Sequence, residues 1–512
     1  VRVEDLLRES AAERPEKVAL VDGPARMSYG DLDADSDRLA AGLVALGVER
    51  GDRVVILMDN IAEAALSIFA VLKAGAVFCP VNPSLKGNGL GQLLADCRPR
   101  AALTQAKYAS GCAAAAEGLA EPPRIVVARA QGPLVAGLLP FETLVGSAAP
   151  RPTHIGAEAD LAMIIYTSGS TGQAKGVMMQ HSAMLAVSAS IASYLGNSAD
   201  DVVLGALPLS FTYGLYQLIV SVRTGATLLL AKGFAFPHAV MEEARKEGVT
   251  GLPLVPTMAA MLLSMNDLSA TSLPALRYIT NAAAPLPAAH IAGLRRLFPG
   301  AHLHSMYGLS ECARATSLPP EEIDRKPESV GKAIPGTEVT IVDGEGLPVA
   351  RGDTGELVVR GPHLMLGYWE NEAATREALR PDPATGETQL HTGDLFRADT
   401  EGFLHFVGRK DDIIKIRGEK VAPCRVEAVL HGCSGVREAA VTGVPDALLG
   451  NVLHATVVAS DPDLSARAVM RHCAQHLPDF MVPKAVAFRD ALPKTASGKV
   501  VRRLVQATGT VE

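Results

Sequence analysis

Aromatic residues are scarce in this 512-residue chain: they make up 4% of it, with a single Trp. A core must then come mainly from Ala, Val, Leu and Ile, and an apolar content of 48% supplies enough of them. Long apolar runs are also missing. The stretch LPLVPTMAAMLLSM (252–265) carries Pro and falls short of the ~20 residues a membrane-spanning helix needs. Cysteine spacing lacks the CxxC of zinc sites. The seven Cys, at 79, 97, 112, 312, 424, 433 and 473, form an odd, unpatterned set that reads as free thiols of a reducing compartment. Nor is positive charge in excess. A net charge of −7 argues against a nucleic-acid binder with a broad basic face, though not against a locally basic pocket. The opening VRVEDLLRES is charged from its second residue, unlike a secretory signal. These absences together predict a soluble, cytoplasmic protein.

The length exceeds one ordinary core, so a large unit with sub-structure plus a smaller one is expected. DLDADSDRLAAGLVALGV (31–48) has helical spacing up to Gly47, IAEAALSIFAVLKAGAVF (61–78) is a helix that stops at Gly75 and leads into a strand, and DRVVILM (52–58) between them is a short buried strand. This βαβ rhythm predicts parallel sheet with helices on its faces. It continues through DLAMIIYT, VVLGALPL, ATLLLAKG and GLPLVP up to about residue 310. From 330 to 408 short strands alternate with Gly and Asp turns, which predicts an antiparallel, barrel-like region. After GRKDD (408–412) the pattern resets towards a small α+β domain. The expected boundary is 410/411, with 1–410 as the large domain and 411–512 as the small one.

YTSGSTGQAKG (166–176) crowds hydroxyls and glycines around one Lys. Glycines let backbone N–H groups converge, Ser and Thr add donors, and Lys adds charge, which together suit a polyphosphate. The strand LAMII before it and the helical HSAMLAVSASIASYL after it suggest a strand–loop–helix setting with a helix N-terminus behind the loop. The P-loop pattern GxxxxGK[ST] does not fit here, nor at TASGKVV (495–501). GNGLGQ (87–92) does not follow a strand and is no dinucleotide fingerprint.

The loop resembles the phosphate loop of the adenylate-forming superfamily, whose form is roughly [ST]SG[ST]TGxPKG, with Ala174 where Pro is usual. Further motifs recur in that family's order over nearly the whole chain, and resemble its acyl- and aryl-CoA synthetase branch. The resemblance implies an α/β fold: a large N-terminal domain of two helix-flanked sheets with a small β-barrel-like region, and a small mobile α+β C-terminal domain. It implies Thr167, Ser168, Gly169, Ser170, Thr171, Gly172 and Lys175 around the phosphates. LKAGAVFCPVNPSL (72–85) matches a structural motif without chemistry.

SMYGLSE (305–311) resembles YGxTE. Tyr307 and Gly308 would lie at the adenine, Ser310 would bond a phosphate, and Glu311 would hold Mg²⁺. NAAAPLP (281–287) resembles the loop that lies against adenine through Ala283. HTGD (391–394) and GRKDDIIKIRG (408–418) imply Asp394 and Arg409 on the ribose, Asp411 as hinge, and Gly418 beside a pantetheine path. LPKTASGKVVR (492–502) implies Lys499 as the catalytic Lys that bridges carboxylate and α-phosphate. In LPLSFTYGL (207–215), Phe211–Thr212 stands where amino-acid-activating relatives often read FD. Thr cannot offset a substrate ammonium, so a neutral acyl or aryl acid is favoured. Phe211, Tyr213, Met258, Asn281, Met306, Gly308 and Cys312 are the candidate acid pocket, and His181 reads as structural.

The implied reaction uses ATP and Mg²⁺ to turn a carboxylic acid into an acyl-adenylate, then transfers the acyl group to coenzyme A. Two alternatives stay open: a stand-alone ligase loading a carrier-protein phosphopantetheine in trans, since FTYG resembles FDYG, and a non-catalytic nucleotide sensor.

Overall fold

The computed structural model describes residues 1–146, 156–168, 174–265, 267–269, 271–416, 419–446, 450–494 and 500–506. Among these residues two large sheets dominate. A nine-stranded sheet runs in the order Lys332–Ala333, Thr316–Leu318, His302–Tyr307, Tyr278–Asn281, Gly251–Leu254, Val202–Gly205, Thr227–Leu230, Val18–Asp22 and Ala25–Ser28. Its six central strands, from His302–Tyr307 to Val18–Asp22, are mutually parallel. An eight-stranded sheet runs Gly367–Tyr368, Ala174–Gln180, Leu161–Ser168, Val77–Pro80, Arg53–Leu57, Ala101–Gln105, Arg124–Ala128 and Leu138–Pro140. It is parallel from Leu161–Ser168 onwards.

One core lies between the sheets. Leu39 and Leu43 of helix Tyr29–Ala45, Phe69 and Leu72 of Ala62–Lys73, and Leu215 and Ile219 of Thr212–Thr224 pack there with strand residues Val54, Ile56, Leu20 and Leu228. The helix predicted from Asp31 begins at Tyr29, because Ser28 caps it: Ser28 Oγ accepts the Asp31 N–H at 3.1 Å. The stretch 72–85 packs, as expected of it. Lys73 is 1% exposed, with its ammonium 2.5 Å from Asp33 Oδ1 and 2.9 Å from Asp37 Oδ1. His181 is structural too: its Nδ1 accepts the Val3 N–H at 3.1 Å, and burial pulls its pKa down to about 4, which keeps that nitrogen free to accept.

The region from 338 to 409 is antiparallel. Glu338–Val342, Thr354–Arg360, Leu379–Pro381, Thr388–Ala398 and Leu404–Arg409 make one five-stranded sheet. The long strand Thr388–Ala398 carries HTGD, and reading the sequence missed it, since Thr-Gly-Asp breaks the apolar alternation. Beyond Arg409, helices Pro423–His431 and Ala466–His476 cover strands Val436–Asp446, Gly450–Ala459 and Ala485–Phe488. Val426, Leu430, Val441, Leu453, Val469 and Cys473 close a separate small core there.

Among the described residues no helix is long and apolar enough to cross a membrane. All seven Cys are free thiols, and Cys79 and Cys97 hold their sulfurs 3.4 Å apart in the interior.

Candidate active site

Three parallel strands end side by side, with Leu254 paired to Asn281 and Asn281 to Ser305. The carboxyl ends of parallel strands are where α/β folds place ligands. Past Tyr307 the chain turns back at Gly308. A Cβ there would stand 2.4 Å from the Ala313 carbonyl oxygen and 2.8 Å from Arg314 Cα, so only glycine fits. Ala313 completes the turn at φ 58°, a left-handed conformation that residues with a Cβ seldom adopt. The turn separates two charges: Glu311 meets the phosphate-loop hairpin, and Arg314 goes into the interior.

The loop sits on a hairpin. Strand Leu161–Ser168 pairs with Ala174–Gln180, with Thr167 opposite Lys175 and Tyr166 opposite Gly176. This corrects the expected strand–loop–helix setting. A second strand, Ala174–Gln180, follows the loop, and the helix starts only at His181. The alternating apolar residues of GVMMQ favour pairing with the neighbouring strand over helix. Gly169, Ser170, Thr171 and Gly172 lie outside the described residues, as does the Ser168 side chain.

The short strand Gly367–Tyr368 joins the hairpin, Tyr368 pairing with Val177. Its side chain gathers two predicted site residues. The Tyr368 hydroxyl donates to Glu311 Oε1 at 2.8 Å, and the Lys175 ammonium lies 5.1 Å from its ring centroid. On the opposite side, the Tyr307 hydroxyl donates to Asp394 Oδ2 at 2.7 Å. Phe396 steadies the Tyr307 ring edge-on at 4.8 Å. Asp394 and Arg409 are directly opposed in register, with Arg409 Nε 3.5 Å from Asp394 Oδ1. Burial and the Asp394 charge push the Tyr307 phenol far up, so it stays a donor. Tyr307 and Glu311 stand at either end of the same short turn, which brings the two groups together, and against its burial the charges of Asp394 and Glu311 raise the Arg409 pKa.

Behind Asp394 stands Glu356. It accepts the Gly393 N–H at 2.9 Å and pairs with His391 at 3.2 Å and Lys410 at 3.4 Å. Gly393 sits at φ 70°, which turns that N–H inward. Burial alone would raise the Glu356 pKa, but these partners outweigh it and hold it at about 2.

The acid side is built differently. Phe211 precedes the first turn of helix Thr212–Thr224. Asn60, in the connection between strand Arg53–Leu57 and helix Ala62–Lys73, anchors that approach by donating to the Gly205 and Leu207 carbonyls and accepting the Leu209 N–H. Thr212 donates to Ser310 Oγ at 3.4 Å, so the predicted phosphate contact also touches the acid wall. Tyr213 shares a 2.6 Å hydrogen bond with Thr280. Asn281 donates to the Ala284 carbonyl at 3.0 Å and shapes the loop in which Ala283 sits at φ 75°. Met258, Met306 and Cys312 are buried, and burial pushes the Cys312 thiol up to about 12. Asp411 lies in a single turn, Lys410–Asp412, whose Asp412 pairs with Arg502 at 2.8 Å. Lys499 and Gly418 lie outside the described residues.

Residues 7–369 match the family model described as AMP-binding enzyme, and 425–499 match the AMP-binding enzyme C-terminal domain. The chain belongs to the AMP-binding enzymes. One relative is a long-chain-fatty-acid–CoA ligase of Salmonella typhimurium, 32% identical over 99% of this chain and 95% of its own. Another is an indoleacetate–CoA ligase of Aromatoleum aromaticum, also 32% identical, over 96% of each chain. Among solved structures, ATP-bound MatB from Rhodopseudomonas palustris superposes with a TM-score of 0.90 at 28% identity, covering 99% of both chains. This AMP-binding enzyme is thus an ATP-dependent, AMP-forming acid–thiol ligase. The two named ligases act on unlike acids at equal identity, so overall resemblance does not select the acid.

Reading the sequence missed Tyr368, Glu356, Phe396 and Arg314. The aromatic pair in GYW (367–369) was a usable signal for Tyr368, and a lone Arg in the weakly polar CARATSL for Arg314. Glu356 had none, because its role depends on register with His391.

Proposed function

We propose that this enzyme activates a carboxylic acid that lacks an α-ammonium with ATP and passes the acyl group to coenzyme A, using the residues gathered above. The observation that carries the reading is Tyr368 joining Lys175 to Glu311 beside the Tyr307–Asp394–Arg409 group. Lys175 and the loop residues hold the phosphates. Tyr307 and Ala283 border the adenine, and Asp394 with Arg409 takes the ribose hydroxyls. The acid lies against Phe211, Tyr213, Met306 and Cys312.

A magnesium ion suits this donor set. Glu311 is a hard carboxylate, and no cluster of three or more metal-capable side chains occurs among the described residues. Mg²⁺ takes one or two carboxylates plus phosphates and water, and Glu311 would be its protein ligand. The ion supplies neutralisation of phosphate charge.

In the first half-reaction the substrate carboxylate attacks the α-phosphorus and pyrophosphate leaves. The protein contributes positioning and charge, with Lys499 bridging the reacting oxygens. In the second, a thiolate attacks the acyl carbon and AMP leaves. The division is 1–410 for the nucleotide and acid and 411–512 for Lys499, with Asp411 as the hinge and Gly418 beside the thiol path. The separate core beyond Ile416 supports this division. The cytoplasm is the proposed setting, supported by seven free thiols.

ATP–pyrophosphate exchange across fatty, branched, benzoic-type and amino acids tests the reading, followed by thioester formation with CoA or a holo-carrier protein. Exchange with one acid class and a CoA product is expected. Pyrophosphate exchange absent with every acid, in protein that binds ATP, would favour the sensor alternative. An Lys499→Ala variant that forms adenylate at an undiminished rate would remove Lys499 from the mechanism.

A further inference from the structure

Arg314 is 3% exposed and has no ion-pair partner among the described residues. Its Nε has no hydrogen-bond partner either. Buried charges in proteins are as a rule paired, because an unpaired one loses its hydration without recompense. What surrounds Arg314 is aromatic. Its guanidinium lies 5.0 Å from the Tyr213 ring centroid and donates a hydrogen bond to the Tyr194 hydroxyl, and its charge opposes the rise that burial causes in the phenols of Tyr194, Tyr213 and Tyr216. A ring face attracts a cation but leaves most of its N–H groups unmet.

A second orphan stands in the same wall. The Tyr216 hydroxyl is buried and unpartnered. The Arg314 Nε and the Tyr216 hydroxyl both lack acceptors, and the Arg314 cation has no counter-charge among the described residues. The same backbone turn that presents Glu311 to the phosphate loop delivers Arg314 here, three residues later. His363 donates to the Arg314 carbonyl and holds that backbone. The place is therefore built, and what it lacks is an oxyanion.

We propose that the acid activated by this enzyme carries a second carboxylate at the far end of its acyl group, received by Arg314 and the Tyr216 hydroxyl. The inference rests on the acid–thiol ligase reading and deepens it. It refines that reading in one respect: the acid lacks an ammonium but is not apolar at its far end. Planar guanidinium suits a carboxylate because it can donate two parallel N–H bonds.

The test is CoA-dependent AMP release with matched pairs: succinate against butanoate, glutarate against pentanoate, adipate against hexanoate, and suberate against octanoate. Wild type, Arg314→Met and Arg314→Lys are compared, with melting temperature as the check on folding. At the fitting length, wild type should prefer the diacid by about 100-fold or more in kcat/KM, as sites with buried polar groups reject analogues that leave them unpaired. Arg314→Met should reverse that preference, and Arg314→Lys should keep part of it. Wild type that uses monoacids as well as diacids overturns the inference and leaves the ligase reading standing. So does an Arg314→Met variant that still prefers diacids, and if that variant does not fold, an Arg314→Lys variant with undiminished preference has the same force. No turnover with any of these eight acids overturns the inference, and the ligase reading then stands or falls on pyrophosphate exchange across the wider range of acids.

Discussion

The nucleotide side and the acid side of this site handle charge in opposite ways. Around the expected ribose position, every described charge has its partner: Asp394 has Tyr307 and Arg409, and Glu356 has His391, Lys410 and the Gly393 N–H. Around the acid, Arg314 has no counter-charge among the described residues, and its Nε and the Tyr216 hydroxyl lack hydrogen-bond partners. The first arrangement is complete before a ligand arrives, which spares reorganisation when charge develops. The second is completed by what binds. One side serves a cosubstrate common to the whole family, and the other selects one acid.

Breaking the matched side should do the most damage. Asp394→Ala removes the partner of Arg409 and of the Tyr307 hydroxyl, and should lower kcat/KM for ATP by ~100-fold or more, about 3 kcal/mol, in steady-state kinetics. Glu356→Gln acts through stability. The folded pKa of about 2 lies below the ordinary 4.5, so the contribution is fully present above about 4.5 and is lost as pH falls towards about 2. It amounts to something on the order of 3 kcal/mol at neutral pH. Denaturant titrations at pH 7 and pH 3 should show the variant much weaker than wild type at the first and nearer to it at the second. Tyr368→Phe is milder. It removes the hydrogen bond to Glu311 but keeps the ring beneath Lys175, so a ~10-fold fall in kcat/KM with a raised magnesium requirement is expected. Arg314→Met sharpens the contrast, because its sign is reversed. Removing an unpaired buried charge should leave the melting temperature of the free enzyme unchanged or raise it. A large fall would mean that the acid side is as internally matched as the nucleotide side.

Much of the architecture was legible. The helix from 61 to Gly75, the strand it leads into and the strand at 52–58 emerged as Ala62–Lys73, Val77–Pro80 and Arg53–Leu57, because apolar periodicity there is strong and continuous. The antiparallel texture after 330 was legible from its turns. Two elements were not. Thr388–Ala398 is held by three neighbouring strands that compensate for Gly393, and the strand after the phosphate loop is held by Leu161–Ser168 and Gly367–Tyr368. In both, the partners that decide the conformation are distant in sequence.

The site divides along the same line. Tyr307, Glu311, Lys175, Asp394 and Arg409 stood out in the sequence, since each belongs to a short motif whose residue types match the chemistry of a nucleotide. The order of those motifs determined, without coordinates, that the chain handles ATP and a carboxylic acid. Only the tertiary structure decided which groups meet. Tyr368 reaches Glu311 from 57 positions away, and Glu356 reaches the Gly393 N–H from 37. Whether Arg314 has a counter-charge is likewise a property of the packed interior, because pairing depends on every neighbour that folding brings up and none of them is encoded beside it.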